Sequence, residues 1–415
     1  MKPEKSNSII SKGGFKEIRR MANDYLKTNG LPGRKHEEYK YTPISSLIEK
    51  TFGNTLTRSS KSELSEVADF QIPDFDCYYI VMVNGYWMKE LSILPTELQV
   101  SETSENLQTG TIAKIENDSF IALNSLHFDN CLFISVGKSS RLDKPVFIIH
   151  ISDAAEQDCI SMPRIFINLG EHSKSSFYLG FFTKGNCISF TNSVVEIFNG
   201  KASHSRLTQI QSESNNAITH NTISIQQARD SNFTSICVSL GGKMVRNNLN
   251  VLLDDENSES HLYGLYQLTG NQHVDNHTIV DHKKANSISN ELYKGILDEK
   301  STGVFNGKIY VRPLAQKTNA FQSNKNILLS NDAIVNTKPQ LEIWADDVKC
   351  THGCTTGQLD EEQIFYLQSR GISKDTALKM VLKAFQHDIL SRIEDKSVID
   401  YLDKEITRRF GGEAL

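Results

Sequence analysis

The sequence of 415 residues predicts a mainly β protein whose long strand-rich middle is flanked by helical ends. Three observations carry that reading. From about Leu132 to Ala345, short β-rich runs (VFIIHI, RIFINLG, SFYLGFF, ISFTNSVVEIF, NTISIQ, NFTSICVSL, LNVLL, HLYGLYQL and KIYV) are broken by Gly, Asn, Asp and Ser, and no helix of length fits. The runs recur roughly every ten to sixteen residues, which suits a large sandwich or a parallel β-solenoid. The chain also exceeds the roughly 250 to 300 residues at which one compact core stops growing, so it holds several domains or an elongated solenoid, and about two hundred residues of strand would strain one sandwich, which favours the solenoid without deciding for it.

At the N-terminal end, Phe15, Ile18, Met21, Tyr25 and Leu26 fall at helical spacing, and Asn29-Gly30 with Leu31-Pro32-Gly33 stops the helix. A second short helix is expected near Pro43 to Lys50, where proline suits a helix start. His36 and Glu37 between them read as surface, because neighbours on a helix do not share a face. The polar run Thr57, Arg58, Ser59, Ser60 and Ser62 reads as a linker before a short buried strand, Tyr78 to Val83.

Within the middle, His261, His273, His277 and His282 lie close in sequence with Asp275 and Asp281 among them. Their spacing in strand and turn gives no compact ligand pattern, so hydrogen bonding in turns and rung corners is the preferred role. The stretch that concentrates chemistry comes later, in KPQLEIWADDVKCTHGCTTGQLDEEQIFYLQSRGI from Lys338 to Ile372. Gln340 to Ala345 reads as a half-buried strand. If Val348 to Cys354 is extended, Cys350, His352 and Cys354 project from one face. Asp360 with Gln363 forms a capping-box pattern that opens a helix ending at Arg370-Gly371. Ser373 caps a second helix with an apolar stripe of Leu378, Val381, Leu382, Phe385, Ile389 and Ile393. A third runs from Ser397 to Arg409, with Gly411-Gly412 as its stop. Their apolar stripes either pack on one another or leave one face for a partner.

The formal net charge of −5 supplies no basic field, so nucleic acid is not expected as a partner. No apolar run approaches the roughly 18 residues of a membrane span, and MKPEKSNSIISKGG lacks the apolar core of a signal peptide, so a cytoplasmic chain is expected. The seven cysteines are odd in number and mostly scattered, as for reduced thiols rather than a disulfide framework. No G-x-x-x-x-G-K-[ST] loop occurs, so the chain is not expected to hydrolyse ATP or to be an enzyme of that class.

The stretch from Lys338 to Ile372 closely resembles the C-terminal motif of the SufB/SufD family of iron–sulfur cluster assembly scaffolds, in its SufD form. QHVDNHTIVDHKKANSISNELYKGILDEKSTGVFNGKIYV, QKTNAFQSNKNILLSNDAIVNT and GLPGRKHEEYKYTPI are similar to other segments of that family, and the detailed likeness covers Gln272 to Phe385. SufB chains often carry an N-terminal C-x-x-C, and this sequence has no C-x-x-C, which supports the SufD form. The resemblance implies a right-handed parallel β-helix over residues 131–357, an N-terminal helical or mixed region over 1–130 and a C-terminal helical domain over 358–415. It implies a non-catalytic scaffold subunit of a SufBCD-type complex, with SufB and the ATPase SufC as partners and SufC docked on the C-terminal helices. Whether the isolated chain is a homodimer is left open.

By the same resemblance, His352 and Cys350 belong to a nascent-cluster site shared with SufB, with the histidine the stronger ligand. The cluster is transient, and no tightly bound cofactor is expected in the isolated chain. Cys354 stands where the family usually has alanine, and is either a third soft donor or, preferably, a neutral replacement. Tyr39, where tryptophan is common, reads as an inconsequential departure. Two other classes compete with this reading: a metal-dependent β-helix hydrolase or lyase acting on polysaccharide, and a structural zinc protein using Cys350, His352 and Cys354.

Overall fold

Parallel pairing sets His204 beside Asn232, Ile288 beside Asn319 and Asn319 beside Lys349, so the backbone returns on itself after about thirty residues. Each circuit contributes one strand to each of two facing sheets, which is why strand runs recur at half that interval. In a computed structural model describing residues 15–53, 56, 58–62, 64–103 and 108–409, these circuits stack into a β-solenoid of about eight turns with helices at both ends. The first sheet runs from Tyr78–Val83 through Val146–Asp153 to Asn319–Leu328 and Lys349–Gly357, and the second ends on Thr302–Val311 and Ile334–Ile343. The solenoid, not the sandwich, is the fold.

One corner of each turn repeats a device that strand patterns do not reveal. Ser139, His172, Ala202, Asp230, Asn257, Asn286 and Lys317 all have positive φ. The N–H of each of these residues bonds to the carbonyl of the residue before the equivalent position one turn on, as in His172 to Lys201 and Asn286 to Gln316. The next residue is Ser or Thr, and its hydroxyl closes the corner on the carbonyl three residues back in Ser173, Ser231, Ser258, Ser287 and Thr318. Strand residues facing the lumen between the sheets are largely aliphatic and aromatic, among them Ile80, Ile148, Leu179, Leu207, Phe233 and Leu262.

The N-terminal segment is fastened to the second sheet through charge. Helix α1 (Phe15–Asn29) ends at Gly30, and α2 (Ile44–Phe52) starts directly after Pro43. Between them, His36 and Glu37 are exposed, whereas Tyr39 is buried beneath the Arg246 guanidinium, 3.8 Å from its ring centroid. The Tyr39 hydroxyl donates to Asp118 at 2.5 Å and lies 3.0 Å from His220. Tyr39 is therefore not an inconsequential departure: its hydroxyl bridges two other segments of the fold. Arg246 also pairs with Asp275 at 2.8 Å, and Thr42 donates to the same carboxylate. His277 lies between Asp275 and Glu38, and Lys308 completes the Glu38 pair. His273 contacts Thr42, while His282 bonds Ser287 and Ser289 at a rung corner. Thus His273 and His277 hold the N-terminal segment rather than a turn.

The hydrogen bond with His277, followed by Lys308, holds the Glu38 carboxyl down at about 2, against 4.5 ordinarily. A depressed carboxyl stabilises the folded state above its ordinary value, and the contribution is lost as protons bind. Hydrogen-exchange protection of residues 38–42, corrected for intrinsic rates, is expected to hold at pH 5 and to fall between pH 4.5 and 2. Unchanged protection through that window would contradict this attachment.

Two other segments depart from expectation. Helix α3 (Ser119–His127) has no amphipathic stripe to announce it, because it is buried nearly all round. Asp118 caps it by accepting from Phe120 N–H at 2.7 Å. The polar run expected as a linker is pinned to the solenoid instead. Arg58 pairs with Asp129, Ser59 exchanges bonds with Ile160, and Ser62 bonds Asp153; Thr57 lies outside the described residues.

The C-terminal helices are α4 (Glu361–Ser369), α5 (Lys374–Leu390) and α6 (Lys396–Arg409). Asp360 and Ser373 cap the first two through their side chains. The third starts one residue earlier than Ser397, since Val398 and Ile399 donate to the Asp395 carbonyl. Its expected stop at Gly411-Gly412 lies outside the described residues. Ile389, Leu390, Ile393, Val398, Leu402 and Ile406 pack on the outer face of the first sheet, against residues such as Ile149, Tyr178, Phe182 and Val238. The stripes of α5 and α6 therefore cover the sheet rather than pairing only with each other. By contrast, α4 buries only Ile364 and exposes Phe365 and Tyr366.

Candidate functional site at the open end of the solenoid

The site is built by the last turn. Strand Lys349–Gly357 pairs in parallel with Asn319–Leu328, setting Cys350 beside Ala320, His352 beside Gln322 and Cys354 beside Asn324. Those three partners are buried and face the lumen, whereas Phe321 and Lys325, at alternate positions of the same strand, face outward. Side chains alternate along a strand, so Cys350, His352 and Cys354 all point toward the lumen side of the final turn. Among the described residues, no further turn covers them. Cys350 is half-buried, and His352 and Cys354 are exposed.

The three donors are thus brought onto one face in a row, with adjacent Cα atoms about 7 Å apart. The Cys354 thiol reaches Thr337 Oγ1 at 3.4 Å, across to the second sheet. Burial pushes the Cys350 thiol above its ordinary range, which favours the protonated form. Among the described residues, no three His, Cys, Asp or Glu groups converge as a metal site. The chemistry of the donors suits iron or an iron–sulfur cluster, but a row along one strand is an open half-site, and a cluster usually takes about four ligands. Among the described residues, both final strands, Ile334–Ile343 and Lys349–Gly357, also have an unpaired edge. Such edges are templates for strand addition.

Alternation along the strand is legible in the sequence; the polar lumen beneath it was missed. Glu291 stands beside Gln322, one turn below His352, and Gln322 Nε2 donates to Glu291 Oε2 at 2.8 Å. Burial pushes the Glu291 carboxyl up to about 7, despite opposing hydrogen bonds from Thr278 and Gln322. Asn324 and Asn326 line the same wall, bonded to Tyr266. The available signal was Gln322, Asn324 and Asn326 at every second position of FQSNKN, a polar face where a core was expected.

Comparison with known proteins agrees with this architecture. The SufBD core domain of the SUF system for FeS cluster assembly matches residues 150–385, and the SufBD protein N-terminal region matches residues 5–148. The iron–sulfur cluster assembly protein SufD of Escherichia coli is 32% identical over 394 residues, covering 94% of this chain and 92% of that protein. An iron–sulfur cluster assembly SufBD family protein of Synechocystis is 28% identical, covering 90% of this chain and 86% of its own. The chloroplastic protein ABCI7 of Arabidopsis thaliana is 27% identical over 93% of this chain and 84% of its own. Two domain matches that together span most of the solenoid and the N-terminal region, with full-length similarity to SufD, show that this chain belongs to the SufBD family of iron–sulfur cluster assembly proteins and is SufD-like.

Proposed function

We propose that this chain is a non-catalytic scaffold subunit of a cytoplasmic SufBCD-type complex. It contributes His352 and Cys350 to a nascent-cluster site shared with a SufB-like partner and docks a SufC-like ATPase through its C-terminal helices. The supporting observation is the half-built site: three donors in a row at the uncovered end of the lumen, beside unpaired strand edges. A partner strand added along such an edge brings its own thiolates to complete about four ligands. Iron and sulfide are cargo at this site. The imidazole binds metal without first losing a thiol proton, whereas burial keeps the Cys350 proton in place until a metal displaces it. This ranks His352 ahead of Cys350 as the first ligand.

For the ATPase, α4 offers the free apolar surface: Phe365 is 71% and Tyr366 58% exposed, with Met380 of α5 at 42%. Deleting the chain from Ser373 onward would strip α5 and α6 from the sheet they cover, so point variants test this better. Phe365→Ala with Tyr366→Ala is expected to lower recovery of a SufC-like ATPase in co-purification by about tenfold or more, as loss of aromatic anchors does. Unchanged recovery from a folded double variant would place the docking surface elsewhere.

A further inference from the structure

The amide beneath His352 is oriented but only half satisfied. Gln322 is 3% exposed, its Nε2 donates downward to Glu291, and its Oε1 is buried without a hydrogen-bond partner. An amide whose nitrogen is held toward one neighbouring rung directs its oxygen away from it. The column continues from Gln322 to His352, one inter-strand spacing of about 4.8 Å further on. Space is reserved for this amide from the opposite wall, since a Cβ on Gly307 of the second sheet would lie 2.1 Å from Gln322 Nε2. Among the described residues, His352 has no hydrogen-bond partner, so both ring nitrogens are available.

A histidine that binds metal through one nitrogen almost always donates the other N–H to an oxygen, which fixes ring orientation and raises ligand basicity. We infer that Gln322 is a positioning residue for His352: its unpaired Oε1 accepts the ring N–H when the other nitrogen holds a metal, and Glu291 locks the amide in that orientation. This rests on the ligand role proposed for His352. The lock works in either protonation state of Glu291, because one carboxylate oxygen accepts from Gln322 whether or not the other carries the proton. The polar lumen residues then have a task that packing alone does not require.

The test uses two samples of the full chain, one labelled with ¹⁵N-histidine and one with side-chain ¹⁵N-glutamine, with zinc(II) alone as the probe. Zinc is expected to bring up a slowly exchanging ring N–H signal from His352 and to shift the side-chain amide resonance of Gln322. Gln322→Leu is expected to abolish that ring signal and weaken zinc binding about tenfold. Gly307→Ala, which crowds the amide without removing it, is expected to act in the same direction. A retained ring signal and unchanged zinc affinity in Gln322→Leu, while His352→Ala weakens binding, would overturn this inference and leave the ligand role standing. Zinc affinity unchanged in His352→Ala would remove the ligand role and the positioning role together. Should Gln322→Leu fail to fold, the unmodified chain decides: absence of any zinc-dependent shift of the Gln322 amide overturns the inference.

Discussion

Arg164→Met is expected to destabilise the chain by about 3 to 5 kcal/mol, the largest stability effect of any single substitution considered. Arg164 and Glu196 form a fully buried ion pair at 2.6 Å, each with no exposed side-chain surface. Arg164 also donates to Asn124 and Ser125, at the end of α3. Glu196 accepts backbone N–H bonds from Gly110, Ile112 and Ala113 at 2.7 to 3.0 Å, which fastens the segment leading into that helix. Removing the guanidinium leaves a carboxylate in the interior with no cation to offset its desolvation. Adding Glu196→Gln is expected to recover part of the loss, because no charge is then buried. Urea denaturation of the wild type and the two variants measures both steps. A loss below about 1 kcal/mol for Arg164→Met would mean that water or rearrangement reaches the site.

The second large effect is functional. His352→Ala is expected to lower cluster delivery in cells by about tenfold or more, the loss seen when even supporting groups of a metal site are removed. Complementation of a deletion strain under iron limitation, with a reporter cluster enzyme, measures it. Pull-down of the SufB-like and SufC-like partners is expected to stay intact, because His352 is exposed at the mouth and holds no part of the fold. Cys350→Ser is expected to do less, and Cys354→Ala to be nearly silent. Full complementation by His352→Ala would remove the ligand role, and lost pull-down would reassign the residue to interface packing.

The helical ends and the individual strands were legible because each follows local chemistry: apolar spacing, caps at Asp360 and Ser373, and the glycine stop at Gly371. The strand pattern left solenoid and sandwich open, because the repeat itself lies in corner geometry rather than in strand composition; length favoured the solenoid and the family resemblance implied it. His172, Ala202, Asp230, Asn257, Asn286 and Lys317 share a backbone conformation while differing in chemistry, and only the Ser or Thr that follows each leaves a mark. Helix α3 escaped because burial on all sides erases the amphipathic signal. At the site, alternation put Cys350, His352 and Cys354 on one face, but whether that face was lumen or exterior depended on register with Asn319–Leu328. The attachment of Glu38 and Tyr39 to Arg246 and Asp275 joins residues more than two hundred apart, and no local pattern announces such a contact.

The shared-site account turns on whether a nitrogen from this chain binds the cluster. The direct measurement is electron–nuclear double resonance on the reduced, cluster-loaded complex, assembled anaerobically with ¹⁵N-histidine in this chain only. The account expects a strongly coupled ¹⁵N signal in the wild type that disappears in His352→Ala with the partners still bound. A loaded wild-type complex showing no such coupling would contradict it.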